Sequence, residues 1–337
     1  VAAPPTDWRT HALPLGTIAI AAAGIYWPSL HGAFVYDDPN AISQSSLIHH
    51  LTPLIRFLTL STRPLTDYSY ALNYAIAGLA TWPYHLTNML LHAASAMLLY
   101  GIAWATLGTA PLARRYGAGR RAIAWGAAAL FAVHPLASEA VGYVSSRSEV
   151  LAAFWILLAL GSFIVAAITR RQRLRRSAAT VLPLAAAAGL GSKEIAAAIP
   201  FALALYDWLF LSGQSWQRMQ PRRWLLGLSL APLAAGGTFL LVRAYLHPSP
   251  MGDYASTAGL GFDRFTRGQY LLSQFGIIAY YLRLVVLPVG QTFDYDWPLA
   301  RTPFALGVIA PFALLAALIA AAVRARRTQP LFTFALA

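Results

Sequence analysis

Long apolar runs alternate with short polar segments along this chain. Runs at 12–30, 84–107, 122–138, 149–168, 195–211, 224–246 and 304–323 each approach the roughly 17–25 residues that carry a helix across a bilayer, and a shorter run fills 178–191. A backbone in hydrocarbon must satisfy its own hydrogen bonds, so these runs predict helices. Two stretches depart from the pattern. Between 35 and 83 the apolar residues come in short groups split by Pro, Ser and Thr, with Arg56, Arg63 and Asp67 among them. That mixture predicts amphipathic helices lying at the interface. Residues 271–289 are apolar enough to cross but carry Arg283.

The polar segments sort by sign of charge. Arg114, Arg115, Arg120 and Arg121, then Arg170 to Arg176, then Arg218, Arg222 and Arg223, then Arg324, Arg326 and Arg327 form clusters that alternate with acid-bearing loops. Cytoplasmic loops carry the excess of Lys and Arg. The alternation therefore predicts a cytoplasmic N-terminus and places every acid except Asp7 and Asp207 on the outer side. By parity, 247 and 304 both lie outside, so 271–289 reads as a re-entrant or interfacial helix within an outer loop at 247–303. The alternative is a true crossing, with Arg324, Arg326 and Arg327 outside. The fold expected is an all-α polytopic membrane protein, a single transmembrane domain over 1–337, with 35–83 as its first outer loop.

Composition agrees with the pattern. Of 337 residues, 58% are hydrophobic and 11% charged, and the mean hydropathy is +0.55, which excludes an ordinary soluble domain. The net charge of +13 raises nucleic acid as a partner. The basic residues sit between apolar runs, though, and no basic patch interleaved with aromatics appears. The absence of cysteine excludes disulfides, a thiol nucleophile and a Cys metal site. The chain starts at Val1 and stops at Ala337 inside a fresh apolar stretch, so both ends are expected to continue.

Candidate chemistry gathers in the acid-bearing segments. Only twelve acidic residues are present, and two of them, Asp37 and Asp38, are adjacent where the first apolar run ends. Neighbouring carboxylates repel, which suits a general base or a metal ligand. Asp-Asp-Pro-Asn is equally good turn chemistry. His85, Asn88 and His92 share one helix face; hydrogen bonding between buried helices is preferred there to metal binding. His134 precedes Pro135, which ends a helix, and Glu139 follows. Arg147 and Glu149 open the next run, with Glu149 suited to the helix dipole. Lys193 and Glu194 read either as a self-satisfied pair or as a phosphate clamp. Asp294 and Asp296 flank Tyr295 and Trp297, an interfacial pattern. A cavity of carboxylates and cations at a membrane surface suits a lipid-phosphate substrate, the cations holding phosphate and a carboxylate taking a proton.

In order along the chain, Phe34-Val35-Tyr36-Asp37-Asp38, Arg63-Pro64-Leu65-Thr66, Leu72-Asn73-Tyr74 and Tyr84-His85-Leu86 with Asn88 and His92 resemble the TMTC family, the transmembrane and tetratricopeptide-repeat-containing O-mannosyltransferases. The match continues through Phe131-Ala132-Val133-His134-Pro135, Glu139-Ala140-Val141, Ser146-Arg147-Ser148-Glu149, Ser192-Lys193-Glu194 and Asp294-Tyr295-Asp296, over roughly 30–300. Each motif alone is weak; the ordered set is specific. Its spelling is closer to bacterial members, which points to a bacterial inner membrane and a periplasmic active site.

The resemblance implies a GT-C glycosyltransferase-like helix bundle that uses a polyprenyl-phosphate sugar on the outer face, without the family's C-terminal repeat domain in this chain. It assigns base catalysis to Asp37 or Asp38, with Glu139 orienting the acceptor or sharing that role. The expected reaction is inverting transfer of a mannose-like sugar to a hydroxyl, on protein Ser or Thr. Arg63, Arg147 or Lys193 then meets the leaving lipid phosphate. His85, His92, His134, Glu194, Asp294 and Asp296 complete the expected cavity. No metal or other cofactor is required, although the acid pair leaves a divalent ion open. The expected partners are membrane lipid, the donor, a protein acceptor and a larger membrane complex. An alternative is a non-catalytic membrane subunit that binds a partner complex or lipid. A secondary transporter, with ionisable groups at mid-membrane in paired halves, fits less well.

Overall fold

The computed structural model describes residues 9–246 and 266–337. Among these residues all the regular structure is helical and there is no strand. The protein is an all-α polytopic membrane protein: among the described residues five helices are long and apolar enough to cross a membrane, at Arg9–His31, Trp82–Leu107, Val144–Ile168, Glu194–Leu211 and Leu306–Ala325. Within the single domain expected over 1–337, the residues gather into two compact units, 1–235 and 236–337.

In the first unit, α1 (Arg9–Tyr26) runs into a short 3-10 turn, Trp27–His31. The first loop follows, and then α2 (Leu54–Leu60), α3 (Pro64–Ala77) and α4 (Trp82–Leu107). Pro64 and Pro83 stand in the first turns of α3 and α4, where a missing N–H costs nothing. The 26 residues of α4 extend about 39 Å, beyond the hydrocarbon thickness. Then come α5 (Ala110–Tyr116), α6 (Arg120–Val133), α7 (Ser138–Gly142), α8 (Arg147–Ile168) and α9 (Gln172–Ser192). Last are α10 (Ile199–Tyr206), α11 (Trp216–Met219) and α12 (Arg223–Leu246).

Packing follows small residues. Ala124, Ala128 and Ala132 recur every four positions on α6, and all three are fully buried, where α6 meets α1 and α4. Helix α9 lies along α8. At Gly189 a Cβ would come within 2.9 Å of the Ala196 Cβ and 3.4 Å of the Trp155 Cβ, so a larger residue would push α9 away. The expected crossing at 122–138 is a 14-residue helix, α6, which ends before Pro135. The short run at 178–191 joins the Arg-rich 172–177 in one helix of 21 residues.

The stretch 35–60 carries its own core. Ile42, Ile48 and Phe57 pack with Tyr70 and Ala71 of α3, Tyr84 of α4 and Val144. The expected helices are present at Leu54–Leu60 and Pro64–Ala77. Asp207 is fully buried. It accepts from Arg222 Nε at 2.9 Å and Nη2 at 2.7 Å, and from Ser212 Oγ.

The second unit begins at Gly236, within α12, and contains α13 (Arg267–Val286), α14 (Leu306–Ala325) and α15 (Pro330–Leu336). Thr266 opens α13 with a reciprocal capping box to Gln269. Arg283 donates to the Val289 carbonyl at 2.9 Å and lies over the Tyr280 ring. The polar loop expected at 247–270 falls, from 247 to 265, outside the described residues.

Candidate functional site

The site is built on one short segment, 143–149, between α7 and the start of α8. Three separate parts of the first unit fasten to it. The first loop meets Tyr143 and Ser145, the start of α3 meets Ser148, and the end of α9 meets Glu149.

The two adjacent acids face opposite ways. Asp38 is fully buried. Its Oδ1 accepts from the Ser145 N–H at 2.8 Å and the Ser145 hydroxyl at 2.6 Å, and its Oδ2 accepts from the Val35 N–H at 3.0 Å. Three bonds to one carboxylate make it a clasp that closes the turn. Asp37 is exposed. Its backbone N–H donates to the Tyr143 hydroxyl at 2.9 Å, and Tyr143 is bonded in turn to Ser145. Burial pushes the Tyr143 hydroxyl above the ordinary tyrosine value, so it stays protonated and fixes the Asp37 backbone. Tyr36, just before, holds φ at 49°. That left-handed conformation is uncommon for a bulky residue and costs on the order of 1–3 kcal/mol. It turns the chain so that Asp38 points in and Asp37 out.

The cations are paired crosswise. Arg63 Nη2 lies 3.2 Å from Glu194 Oε1 and Arg63 Nη1 donates to Ser148 Oγ at 3.5 Å. Lys193 pairs with Glu149. Of the two readings of Lys193-Glu194, the self-satisfied pair is therefore absent; each residue reaches a partner on another element. Lys193 takes an extended backbone at the end of α9, which sends it and Glu194 in different directions. Thr66 ties α3 to this corner by donating to the Ser192 carbonyl at 3.0 Å. Glu139 is exposed, and its carboxyl is raised above the ordinary range by partial burial and then by the charge of Glu149. Asp67 is raised by burial, partly offset by the Ser61 hydroxyl that donates to it at 2.6 Å and by Arg63.

Arg147 corrects the sequence reading. It was expected at the lipid phosphate, yet it is fully buried. Nε donates to Asn88 Oδ1 at 2.9 Å, Nη1 to Asn73 Oδ1 at 2.6 Å and Ser69 Oγ at 3.3 Å, and Nη2 to the Tyr84 carbonyl at 2.7 Å. The guanidinium lies 4.6 Å from the Tyr70 ring centroid. With four of its five N–H donors engaged and no surface exposed, it joins α3, α4 and α8 and has no face for a phosphate.

The histidines serve packing. His92 bonds through Nε2 to the Ala132 carbonyl at 3.1 Å and stacks on Phe131. His85 is buried against the backbone of Gly32, and neither ring nitrogen makes a well-formed hydrogen bond. His134 Nδ1 accepts from the Leu136 N–H at 3.2 Å, capping the turn that Pro135 begins. Among the described residues no three His, Asp or Glu side chains converge as metal ligands would. Asp294 and Asp296 lie in the second unit, exposed, in a segment held by Tyr295 and Trp297 packing on Tyr280.

Tyr143 and Ser145 escaped the sequence reading. The signal was their closeness to the Glu139 and Arg147 motifs, but neither residue type marks a contact to a loop more than a hundred positions earlier.

The chain is similar in sequence to curated proteins named protein O-mannosyl-transferases. Tmtc2 of Drosophila melanogaster is 29% identical over 305 residues, covering 83% of this chain and 30% of that protein. TMTC2 of Homo sapiens is 27% identical over 300 residues, covering 83% of this chain and 34% of that protein. TMTC3 of Homo sapiens is 32% identical over 152 residues, covering 41% and 15%. The chain thus spans about a third of the length of the curated relatives that match most of it. No family model matches the chain, and no solved structure does. The TMTC-like character read from the ordered motifs is borne out.

Proposed function

We propose that this TMTC-like chain carries the transfer site of a GT-C-type membrane O-mannosyltransferase, with Asp37 as its general base. The reading has the donor as a polyprenyl-phosphate sugar and the acceptor as a protein Ser or Thr hydroxyl. The site lies on the outer, periplasmic face of a bacterial inner membrane. The names of the relatives support sugar transfer to protein. The observation that carries the assignment of the base is the split of the acid pair: Asp38 is consumed by three hydrogen bonds while Asp37 stays exposed on a fastened loop.

In this mechanism Asp37 removes the acceptor proton as the hydroxyl attacks the anomeric carbon. The attack comes from the face opposite the phosphate, so configuration inverts. Negative charge grows on the departing lipid phosphate. Lys193 and Arg63 meet it by exchanging Glu149 and Glu194 for phosphate oxygens. Those pairs are partly solvent-exposed; such pairs contribute about 0–1 kcal/mol, so the exchange is cheap. Glu139, whose proton affinity is raised, orients the acceptor.

The test is transfer from a polyprenyl-phosphate mannose to a Ser/Thr peptide by the membrane-extracted protein. Asp37→Asn keeps shape but cannot take a proton, and is expected to lower turnover by about 10²–10⁴-fold with the melting temperature unchanged. Asp38→Asn is expected to lower melting temperature as well, because the clasp loosens. Full turnover in Asp37→Asn would remove it as base. A parent that never transfers sugar would favour the non-catalytic subunit.

A further inference from the structure

Helix α9 carries Lys193 at one end and a different site at the other. We propose that the groove between the first half of α9 and the start of α12 binds an anionic phospholipid. The groove encloses about 680 Å³, and its cationic rim at Gln172–Arg176 lies roughly 25–30 Å of helix from Lys193.

The lining changes character along its length. Its rim is polar and cationic, formed by Gln172, Arg175 and Arg176 of α9 with Trp224 of α12. Its floor is apolar, formed by Ala179, Pro183 and Leu184 facing Leu228. Positions 172, 176, 180 and 184 recur every four residues, so rim and floor belong to one face of α9. From Gln172 to Leu184 the face runs about 18 Å. That is enough for a headgroup and the upper part of an acyl chain.

The rim is prepared for an anion. Arg175 and Arg176 are exposed, and the described ion pairs, all three of which lie elsewhere, leave both guanidinium groups without a carboxylate. The Arg175 guanidinium stands 5.6 Å from the Trp224 ring centroid, which positions it over the groove mouth. Arg171 and Arg173 are exposed beside it and add to the field. The α9 N-terminus has no side-chain cap, so its free N–H groups favour the same charge.

The gradient selects the occupant. Helix α8, a candidate span, ends at Ile168 just before α9 begins, so the arginines sit where a crossing helix leaves the bilayer. A free phosphate would fill the rim and leave Leu184 and Leu228 bare. An acidic peptide would do the same. A neutral lipid would cover the floor and leave two arginines unmatched. A phosphate headgroup joined to an acyl chain satisfies both ends.

Tryptophan quenching tests this, because Trp224 lines the groove. The whole protein in neutral detergent is titrated with brominated phosphatidylglycerol, and separately with brominated phosphatidylcholine. The expected result is saturable quenching at a concentration at least tenfold lower for the anionic lipid, and loss of that component in Trp224→Phe. Arg175→Gln with Arg176→Gln is expected to raise the half-saturating concentration tenfold or more. Because both side chains are exposed, the fold is retained; and raised salt should weaken quenching of the parent with no substitution at all. Equal saturation by both lipids overturns the proposal, as does quenching indifferent both to salt and to the double substitution. Displacement of the lipid by glycerol phosphate at lipid-like concentrations would also overturn it, in favour of a free-phosphate site.

Discussion

Replacing Arg147 by Gln is expected to loosen the packing beneath the first loop before it alters donor binding. Arg147 gives four hydrogen bonds, and three of its acceptors are tightly enclosed: Asn88 Oδ1, Asn73 Oδ1 and the Tyr84 carbonyl. Asn88 is fully buried and Asn73 nearly so. A buried acceptor left without a donor costs about 1–3 kcal/mol. Asn73 Oδ1 keeps the Thr87 hydroxyl at 3.3 Å and the Tyr84 carbonyl keeps its helical N–H within α4, so Asn88 Oδ1 is the acceptor that Gln must reach or leave bare, and the stack on Tyr70 goes as well. A loss of about 1–3 kcal/mol follows, a readable fraction of the 5–15 kcal/mol that holds a typical domain together. Lys preserves the charge but offers a compact ammonium in place of a planar fork, and is expected to recover only part of the loss. The assay is thermal unfolding of the purified protein, read beside the donor Michaelis constant. Arg147→Gln should melt below the parent. Lys193→Gln, a change to a partly exposed side chain, should melt like the parent and raise the donor Michaelis constant. If Arg147→Gln instead melts like the parent and raises only the donor Michaelis constant, the guanidinium grips phosphate and the packing argument is wrong.

Two further outcomes are expected. Asp67 has its carboxyl raised by burial; the folded protein thus holds that proton more tightly than the unfolded chain does, and the stability this contributes is full at low pH and lost as pH rises through the raised value. Asp67→Asn mimics the protonated form, so its melting temperature should exceed the parent's near neutrality and converge on it in acid; a gap that does not change with pH would exclude the linkage. The sidedness expected from charge can be read in a chain that has no cysteine of its own. An impermeant thiol reagent on intact cells should label Ser46→Cys and spare Ser177→Cys, both exposed positions, and the reverse pattern would invert the topology.

Much of the fold was legible because hydrocarbon leaves the backbone so little choice. Apolar runs gave helices at 84–107, 195–211 and 304–323 with ends within a few residues of those found. Where periodicity and charge competed, the boundaries moved. Helix α9 begins six residues before its apolar run because Arg and Gln are good helix formers. Helix α6 stops at Val133 because His134, the residue before Pro135, is held in the extended region at ψ 127°.

The site was legible in its parts and hidden in its pairing. Composition marks Asp37, Asp38, Arg63, Arg147 and Lys193 equally, as charges that a membrane segment does not carry without reason. It does not say whether the reason is a ligand or another side chain. Asp37 and Asp38 differ only in which way one left-handed residue turns them, and Tyr36 has no sequence feature that announces a φ of 49°. Arg147 and Lys193 differ in what surrounds them. Two asparagines and a carbonyl consume the first, while the second meets one half-exposed glutamate that a phosphate can replace. A buried cation bonded to neutral acceptors cannot move to a substrate without leaving at least one of them bare. A cation in a solvated pair can, since water and phosphate both take over its partner's place. The separation of structural from substrate-facing charge therefore rests on the exchangeability of the partner. That property belongs to the folded environment, and residue identity alone does not carry it.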